Sequence, residues 1–186
     1  TLGMTNKPNF LLRIFFLIRN NIPLSIKLLE GGQTVKTVVV YKSKTGFAKK
    51  YAEWISEALK CDIKENTKLS LDDLIQYDTI IYGGGLYAVG INGINLIKNN
   101  FEALKEKTLI VFATGATPPR DEDLQKVWES NFSEEQRKKI YTFYFRGGFD
   151  FSKLSTANKI LMSMMKLKLK LKNEKVPSAR MEKEIC

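Results

Sequence analysis

The chain contains no histidine. That removes the commonest general base near neutral pH and the commonest metal-binding side chain. Cysteine is scarce: Cys61 and Cys186 stand far apart, with neither a CxxC pair nor zinc-site spacing. Neither a structural zinc nor a Cys–His nucleophile is expected, so the metal and catalytic side-chain sites are read as none. Two unpatterned cysteines fit a reducing compartment, and a cytoplasmic location is expected. Long hydrophobic runs are missing too. Residues 10–18 are apolar, but the run is short and Arg13 interrupts it, so it does not reach across a bilayer. Lys7 precedes this run, yet no small-residue cleavage site follows, and a signal peptide is not indicated. Asn20, Asn21 and Pro23 break any helix there. There is no internal repeat, no GxxxxGK[ST] loop and no GxGxxG fingerprint.

What remains is an ordinary globular composition: 186 residues, 44% hydrophobic and 27% charged. That length is enough for one domain with a real core. The formal net charge is +10 and the sequence pI is near 9.5. The charge gathers at one end: Lys159, Lys166, Lys168, Lys170, Lys172, Lys175, Arg180 and Lys183 face only Glu174, Glu182 and Glu184. No nucleic-acid motif with interleaved aromatics accompanies it, so nucleic acid is not an expected partner. Residues 165–172 alternate lysine with leucine. Lysine stems beside exposed leucines suit an anionic membrane surface, which would place the protein peripherally at the inner face of the cell membrane. A solvated, frayed helix end explains the same residues.

From Val35 onward the pattern is regular. Residues 37–41 are β-branched and aromatic, the composition of a buried strand. Residues 47–59 read as a helix, with Ala48, Tyr51, Ala52, Ile55, Ala58 and Leu59 on one face. Residues 61–64 form a short strand, and Ser70 with Asp72 and Asp73 opens a short helix. Residues 78–82 form another strand, ended by Gly83, Gly84 and Gly85. A helix follows over residues 91–104, weakened at its start by Asn92, Gly93 and Asn95. Residues 108–113 are a strand, ended by Thr114 and Gly115. Pro118 and Pro119 start a helix over residues 121–129. Ser133 with Gln136 caps another, residues 140–145 form the last strand, and Gly147-Gly148 ends it. A final helix beginning near Ser152 or Ser155 carries Leu154, Ala157, Ile160, Leu161 and Met164 on one face. Strand and helix thus alternate five times. Alternation of this kind predicts an α/β fold: a doubly wound five-stranded parallel sheet with right-handed crossovers and helices on both faces. Ligands of such sheets bind at the carboxyl ends of the strands, at the switch point.

Three loops occupy those ends. Ser43, Lys44, Thr45, Gly46, Phe47 and Ala48 lie between the first strand and the first helix. Free backbone N–H groups at a helix N-terminus suit a phosphate, Ser43 and Thr45 add hydroxyls, and Gly46 lets the backbone approach closely. A plain capped turn fits the same spacing. Gly83, Gly84, Gly85, Leu86, Tyr87 and Ala88 follow the third strand. Consecutive glycines point to unusual dihedrals or a close ligand, and Tyr87 could stack on a flat ring; a flexible turn with a surface tyrosine is the plainer reading. Thr114, Gly115, Ala116 and Thr117 follow the fourth strand, where small residues leave room for a polar ring edge. Together these loops are a stronger signal than any one alone.

This set resembles the flavodoxin superfamily, whose phosphate loop reads [ST]-x-T-G-x-T. Ser43-Lys44-Thr45-Gly46-Phe47-Ala48 matches except at its end, where Ala48 stands for a threonine and one hydroxyl contact is lost. Gly83 to Tyr87 is similar to the loop beside the flavin ring, and Thr114 to Thr117 to the loop on the ring's other side. The likeness covers residues 35–172. The resemblance implies the strand order 2-1-3-4-5, bound FMN, and electron or hydride transfer by that flavin, as an FMN-dependent oxidoreductase or an electron carrier with a redox partner or small-molecule substrate. Arg146-Gly147-Gly148-Phe149, followed by a Met- and Lys-rich segment, is similar to the branch that includes the menaquinone-dependent protoporphyrinogen oxidases.

Three segments are therefore expected: an N-terminal extension over residues 1–34, the FMN-binding domain over 35–172, and a polar tail over 173–186. Residues 1–34 are expected to lie outside the native reading frame. Val35-Lys36-Thr37 begins as family members often begin, valine can be the internal reading of a GUG start, and Glu30-Gly31-Gly32 is what a purine-rich ribosome-binding stretch encodes. A genuine extension packed as an extra helix is the alternative. A receiver-like protein of the same strand order would need acidic residues after the first strand, where Tyr41-Lys42-Ser43 stand. The other rival is a basic membrane- or nucleic-acid-binding module on the same fold without flavin.

Overall fold

A computed structural model describes residues 35–116 and 120–147. The chain alternates β1 (Thr37–Lys42), α1 (Phe47–Leu59), β2 (Asp62–Glu65), α2 (Asp72–Ile75) and β3 (Thr79–Tyr87). There follow β4 (Gly90–Ile91), α3 (Asn95–Lys98), α4 (Phe101–Leu104), β5 (Thr108–Gly115), α5 (Asp121–Asn131), α6 (Glu134–Lys139) and β6 (Ile140–Arg146). The sheet runs β2-β1-β3-β5-β6, every pair parallel. The strand order expected from the sequence is the one observed, with β4 as an addition: a two-residue antiparallel return on β3 that brings the strands to six.

The central strands are apolar on both sides because both sides are covered. Val38, Val40, Ile80, Tyr82, Leu109 and Val111 face one cluster with Leu74, Ile97, Phe101 and Leu104. Val39, Tyr41, Ile81, Ile110 and Phe112 face the other, roofed by Ala48, Tyr51, Ala52 and Ile55 of α1. Ala58, expected on that face, is exposed, and Ser56 is buried in its stead. Tyr51 ties α1 to the far strand: its hydroxyl donates to the Arg146 carbonyl at 2.5 Å, and its ring lies 5.1 Å from that of Phe145.

Two expectations are corrected. The glycines do not end the third strand; β3 continues through them to Tyr87. They have no left-handed dihedrals either, since Gly46 and Gly93 are the positive-φ glycines among the described residues. Their smallness serves packing: a methyl on Gly83 would overlap the Phe112 ring, and one on Gly84 would lie 2.6 Å from Ile91 Cγ2 and 2.8 Å from the Asn92 carbonyl. The helix expected over residues 91–104 is instead β4 followed by two short helices. Gly93 sits at φ 75, and the Asn100 side chain bonds the Leu96 carbonyl at 2.8 Å, competing with helix continuation. The capping box at Ser133 and Gln136 forms as expected. Residues 1–34, Thr117 to Pro119, and residues 148–186, with the final helix and basic segment expected there, fall outside the described residues.

Candidate cofactor site at the carboxyl edge of the sheet

The parallel register brings the three expected loops to one edge. Lys42 pairs with Gly84, Gly85 with Thr114, and Gly115 with Arg146. The chain reverses direction across the sheet between β1 and β3, so this edge is also the switch point.

The first loop leads into a helix N-terminus that no side chain caps. Gly46, at φ 92, starts α1 in a conformation that a β-branched residue resists. Ser43 Oγ accepts from the Gly46 N–H at 3.0 Å and fixes the turn. No side chain caps α1, and no acidic residue lies in its first turn. The N–H groups of that turn therefore carry the positive end of a 13-residue helix without an internal counter-charge. Thr45 and Phe47 are half-buried and Lys44 is exposed. Ala48 is fully buried in the cluster under α1, so its methyl has a packing role of its own.

The second loop is a hairpin with a strained tip. Leu86 pairs with Ile91 and Tyr87 with Gly90. Ala88, exposed, takes φ 53, a region few residues other than glycine adopt. Asn131, at the end of α5 and 4% exposed, clamps this turn with both ends of its amide. Its Oδ1 accepts from the Ile91 N–H at 3.0 Å, and its Nδ2 donates to the Val89 carbonyl at 2.6 Å and the Val127 carbonyl at 2.7 Å. A second buried amide holds the hairpin's far side. Asn66 Nδ2 lies 3.1 Å from the Gly93 carbonyl and 3.2 Å from the Tyr82 hydroxyl, which donates to the Asn92 carbonyl at 2.8 Å. Burial pushes the Tyr82 phenol up to about 12, so it stays a donor across the physiological range. In the same loop Asn92 Nδ2 is buried without a hydrogen-bond partner among the described residues. Tyr87 is half-buried, its ring 3.4 Å from where a side chain on Gly85 would begin. Burial raises its phenol above the ordinary value.

Thr114 and Gly115, expected to follow the fourth strand, are instead the last two residues of β5; Thr114 is buried, and Gly115 and Ala116 are half-buried. A methyl on Gly115 would overlap the Tyr144 hydroxyl. The Gly115 carbonyl accepts from the Gly147 N–H at 2.8 Å, and Gly147 packs against Phe47. Thr117 lies outside the described residues. Of the expected site residues, the structure brings Lys44 and Tyr87 together directly, with the ammonium 4.7 Å from the ring centroid. It gives Ala48, Gly84 and Leu86 packing partners inside the protein.

The profile of the flavodoxin domain family matches residues 38–175. The chain belongs to this family. No curated protein sequence matches it. Among solved structures, the Trp repressor binding protein from Bacillus subtilis is 17% identical, over 62% of this chain and 85% of that one, with a TM-score of 0.45. A flavoprotein in complex with FMN from Lactobacillus acidophilus NCFM is 19% identical, over 61% and 93%, with a TM-score of 0.38. The two-electron reduced flavodoxin of Megasphaera elsdenii is 19% identical, over 58% and 84%, with a TM-score of 0.39. No helix among the described residues of this flavodoxin domain is long and apolar enough to cross a membrane. Nor do the described residues hold a cluster of metal-binding side chains.

Cys61 is partly buried, which, with the nearby Asp62 carboxylate, pushes its thiol up to about 11. At pH 8 little thiolate forms, so alkylation of Cys61 by iodoacetamide in a Cys186→Ser variant should run about two orders of magnitude slower than that of a free cysteine thiol. Alkylation at the free-thiol rate would show that Cys61 is more open and more acidic than its surroundings dictate.

Proposed function

We propose that this flavodoxin domain binds FMN at the carboxyl edge of β1, β3 and β5 and serves in electron or hydride transfer. The observation that carries this reading is the uncapped N-terminus of α1 behind Ser43-Lys44-Thr45-Gly46, at the switch point of the sheet. The residues present fit the group. The Gly46 turn and the first turn of α1 would hold the phosphate, with the Ser43 and Thr45 hydroxyls beside them. Tyr87 would offer an aromatic face, and the buried Asn92 amide, without a hydrogen-bond partner among the described residues, would offer a donor to a polar ring edge. When bound, the flavin supplies the redox chemistry; the protein orients it and sets its electrostatic surroundings. No histidine or reactive thiol is needed for that role.

Titration with FMN and with riboflavin tests this reading. FMN fluorescence should be quenched on binding, and riboflavin, which lacks the phosphate, should bind at least about tenfold more weakly, one charge-assisted contact being worth that much. In Tyr87→Ala the bound flavin should regain part of its fluorescence. Absence of FMN binding, or equal affinity for the two flavins, would remove the phosphate cradle from the account. Equal quenching in both proteins would assign the stacking to another side chain.

The finer proposal, oxidation of a protoporphyrinogen-like substrate, is supported by Arg146-Gly147-Gly148-Phe149 and the Met- and Lys-rich sequence that follows it. Arg146 ends β6 at the same edge as the proposed flavin site.

A further inference from the structure

Lys44 belongs by sequence to the loop read as the phosphate cradle, yet its ammonium reaches the second loop. It lies over the face of Tyr87, 4.7 Å from the ring centroid. The residue is exposed, and among the described residues its ammonium makes no ion pair. Tyr87, by contrast, is held in place. It closes the β3–β4 hairpin, whose tip Asn131 fixes from α5. A flexible cation thus reaches from the first loop to an anchored aromatic ring in the second. Such a contact is weak at an exposed position, so the lysine stays near the ring without being committed to it.

We propose that Lys44 tunes the reduction of the bound flavin, favouring the negatively charged reduced ring over the neutral oxidised ring. The inference rests on the FMN reading above. Two electrons from a reductant such as dithionite and one proton from water leave one negative charge on the ring. The phosphate carries the same charge before and after. A cation that serves the phosphate therefore strengthens binding of both redox forms alike. A cation on the ring side strengthens the reduced form more, by an amount set by distance and screening. The position of Lys44 over Tyr87 puts it on the ring side.

The test compares wild type with Lys44→Ala, Lys44→Arg and Lys50→Ala. Lys50 makes the same kind of contact, 5.2 Å over Trp54 on α1, and controls for the loss of one positive charge. The dissociation constant of oxidised FMN comes from fluorescence titration, and that of reduced FMN from the midpoint potential measured against a reference dye. Lys44→Ala should weaken binding of the reduced form about tenfold more than the oxidised form, which lowers the two-electron midpoint by about 30 mV. Lys44→Arg keeps the charge and should stay within about twofold of wild type in that ratio. Lys50→Ala should leave the ratio unchanged. Equal weakening of both forms in Lys44→Ala would assign the lysine to the phosphate and overturn the proposal. An unchanged ratio, or the same shift in Lys50→Ala, would overturn it as well. Failure of the wild type to bind oxidised FMN would instead overturn the FMN reading and this inference with it, so the first titration tells the two failures apart.

Discussion

Gly46→Val should abolish usable FMN binding, raising the dissociation constant by at least about a hundredfold, because it combines backbone strain with loss of the phosphate contacts. Gly46 stands at φ 92 and is the residue from which α1 departs. Its own N–H donates to Ser43 Oγ, which holds the turn, and the N–H groups that follow start α1 without a side-chain cap. Valine disfavours that conformation, and relaxing it would turn the first-turn N–H groups away from their common focus. Gly46→Asn separates this cause from simple misfolding. Asparagine tolerates the left-handed region, so it should bind FMN far better than the valine variant although its side chain is longer. Thr45→Ala removes one hydroxyl and leaves the turn intact, so its loss should be on the order of 1–3 kcal/mol, less than that of Gly46→Val. Titration of the three variants, with circular dichroism to confirm folding, checks the ranking. An unchanged dissociation constant in folded Gly46→Val would mean that the phosphate binds elsewhere.

The turn of the first loop into α1 was legible in the sequence because its determinants are local. Ser43, Thr45 and Gly46 lie within four positions of one another, and their relation to α1 follows from chain order alone. The doubly wound parallel sheet was legible for a similar reason, since alternating strands and helices leave few parallel topologies, whereas its strand order was implied by the resemblance of the three loops to flavodoxins. The second loop was not. Its glycines look like a flexible turn, but what makes them necessary is Phe112 and the Ile91–Asn92 backbone, partners that only the folded sheet brings near. The return strand β4 is two residues long and carries no periodic signal of its own. Asn131 and Asn66 read as ordinary polar residues near helix and strand ends. Their roles depend on partners 42 and 27 residues away, Val89 and Gly93. A buried asparagine at the end of an amphipathic helix offers only a faint cue: Asn131 follows Val127 at the spacing of the buried face.

Asn131→Asp should be the most destabilising of the conservative changes near the site. The substitution keeps size and shape and replaces the amide donor by a second acceptor. Two carbonyls, those of Val89 and Val127, now approach Nδ2 at 2.6 and 2.7 Å. In the variant the oxygen at that position would face both carbonyl oxygens, in a side chain that is 4% exposed. An unpaired buried charge costs about 3–5 kcal/mol when a single partner is lost, and local rearrangement sets how much of that is felt. Protonation relieves the conflict, because a carboxylic acid can donate to one of the two carbonyls. The folded state of the variant therefore holds its proton more tightly than the unfolded state, and the carboxyl pKa is raised on folding. The sign follows: the penalty is small below the unfolded carboxyl pKa of about 4 and grows as pH rises through the raised folded value. Urea unfolding of wild type and Asn131→Asp at pH 4 and pH 7 should show a stability gap that widens with pH. Asn131→Ala, which introduces no charge, should show a smaller gap, constant between those pH values. Because the clamp holds the hairpin that carries Tyr87, both variants should also restore flavin fluorescence at concentrations where the protein remains folded. A gap that is the same at both pH values in Asn131→Asp would show that the tip of the hairpin moves away from residue 131 when the amide is lost.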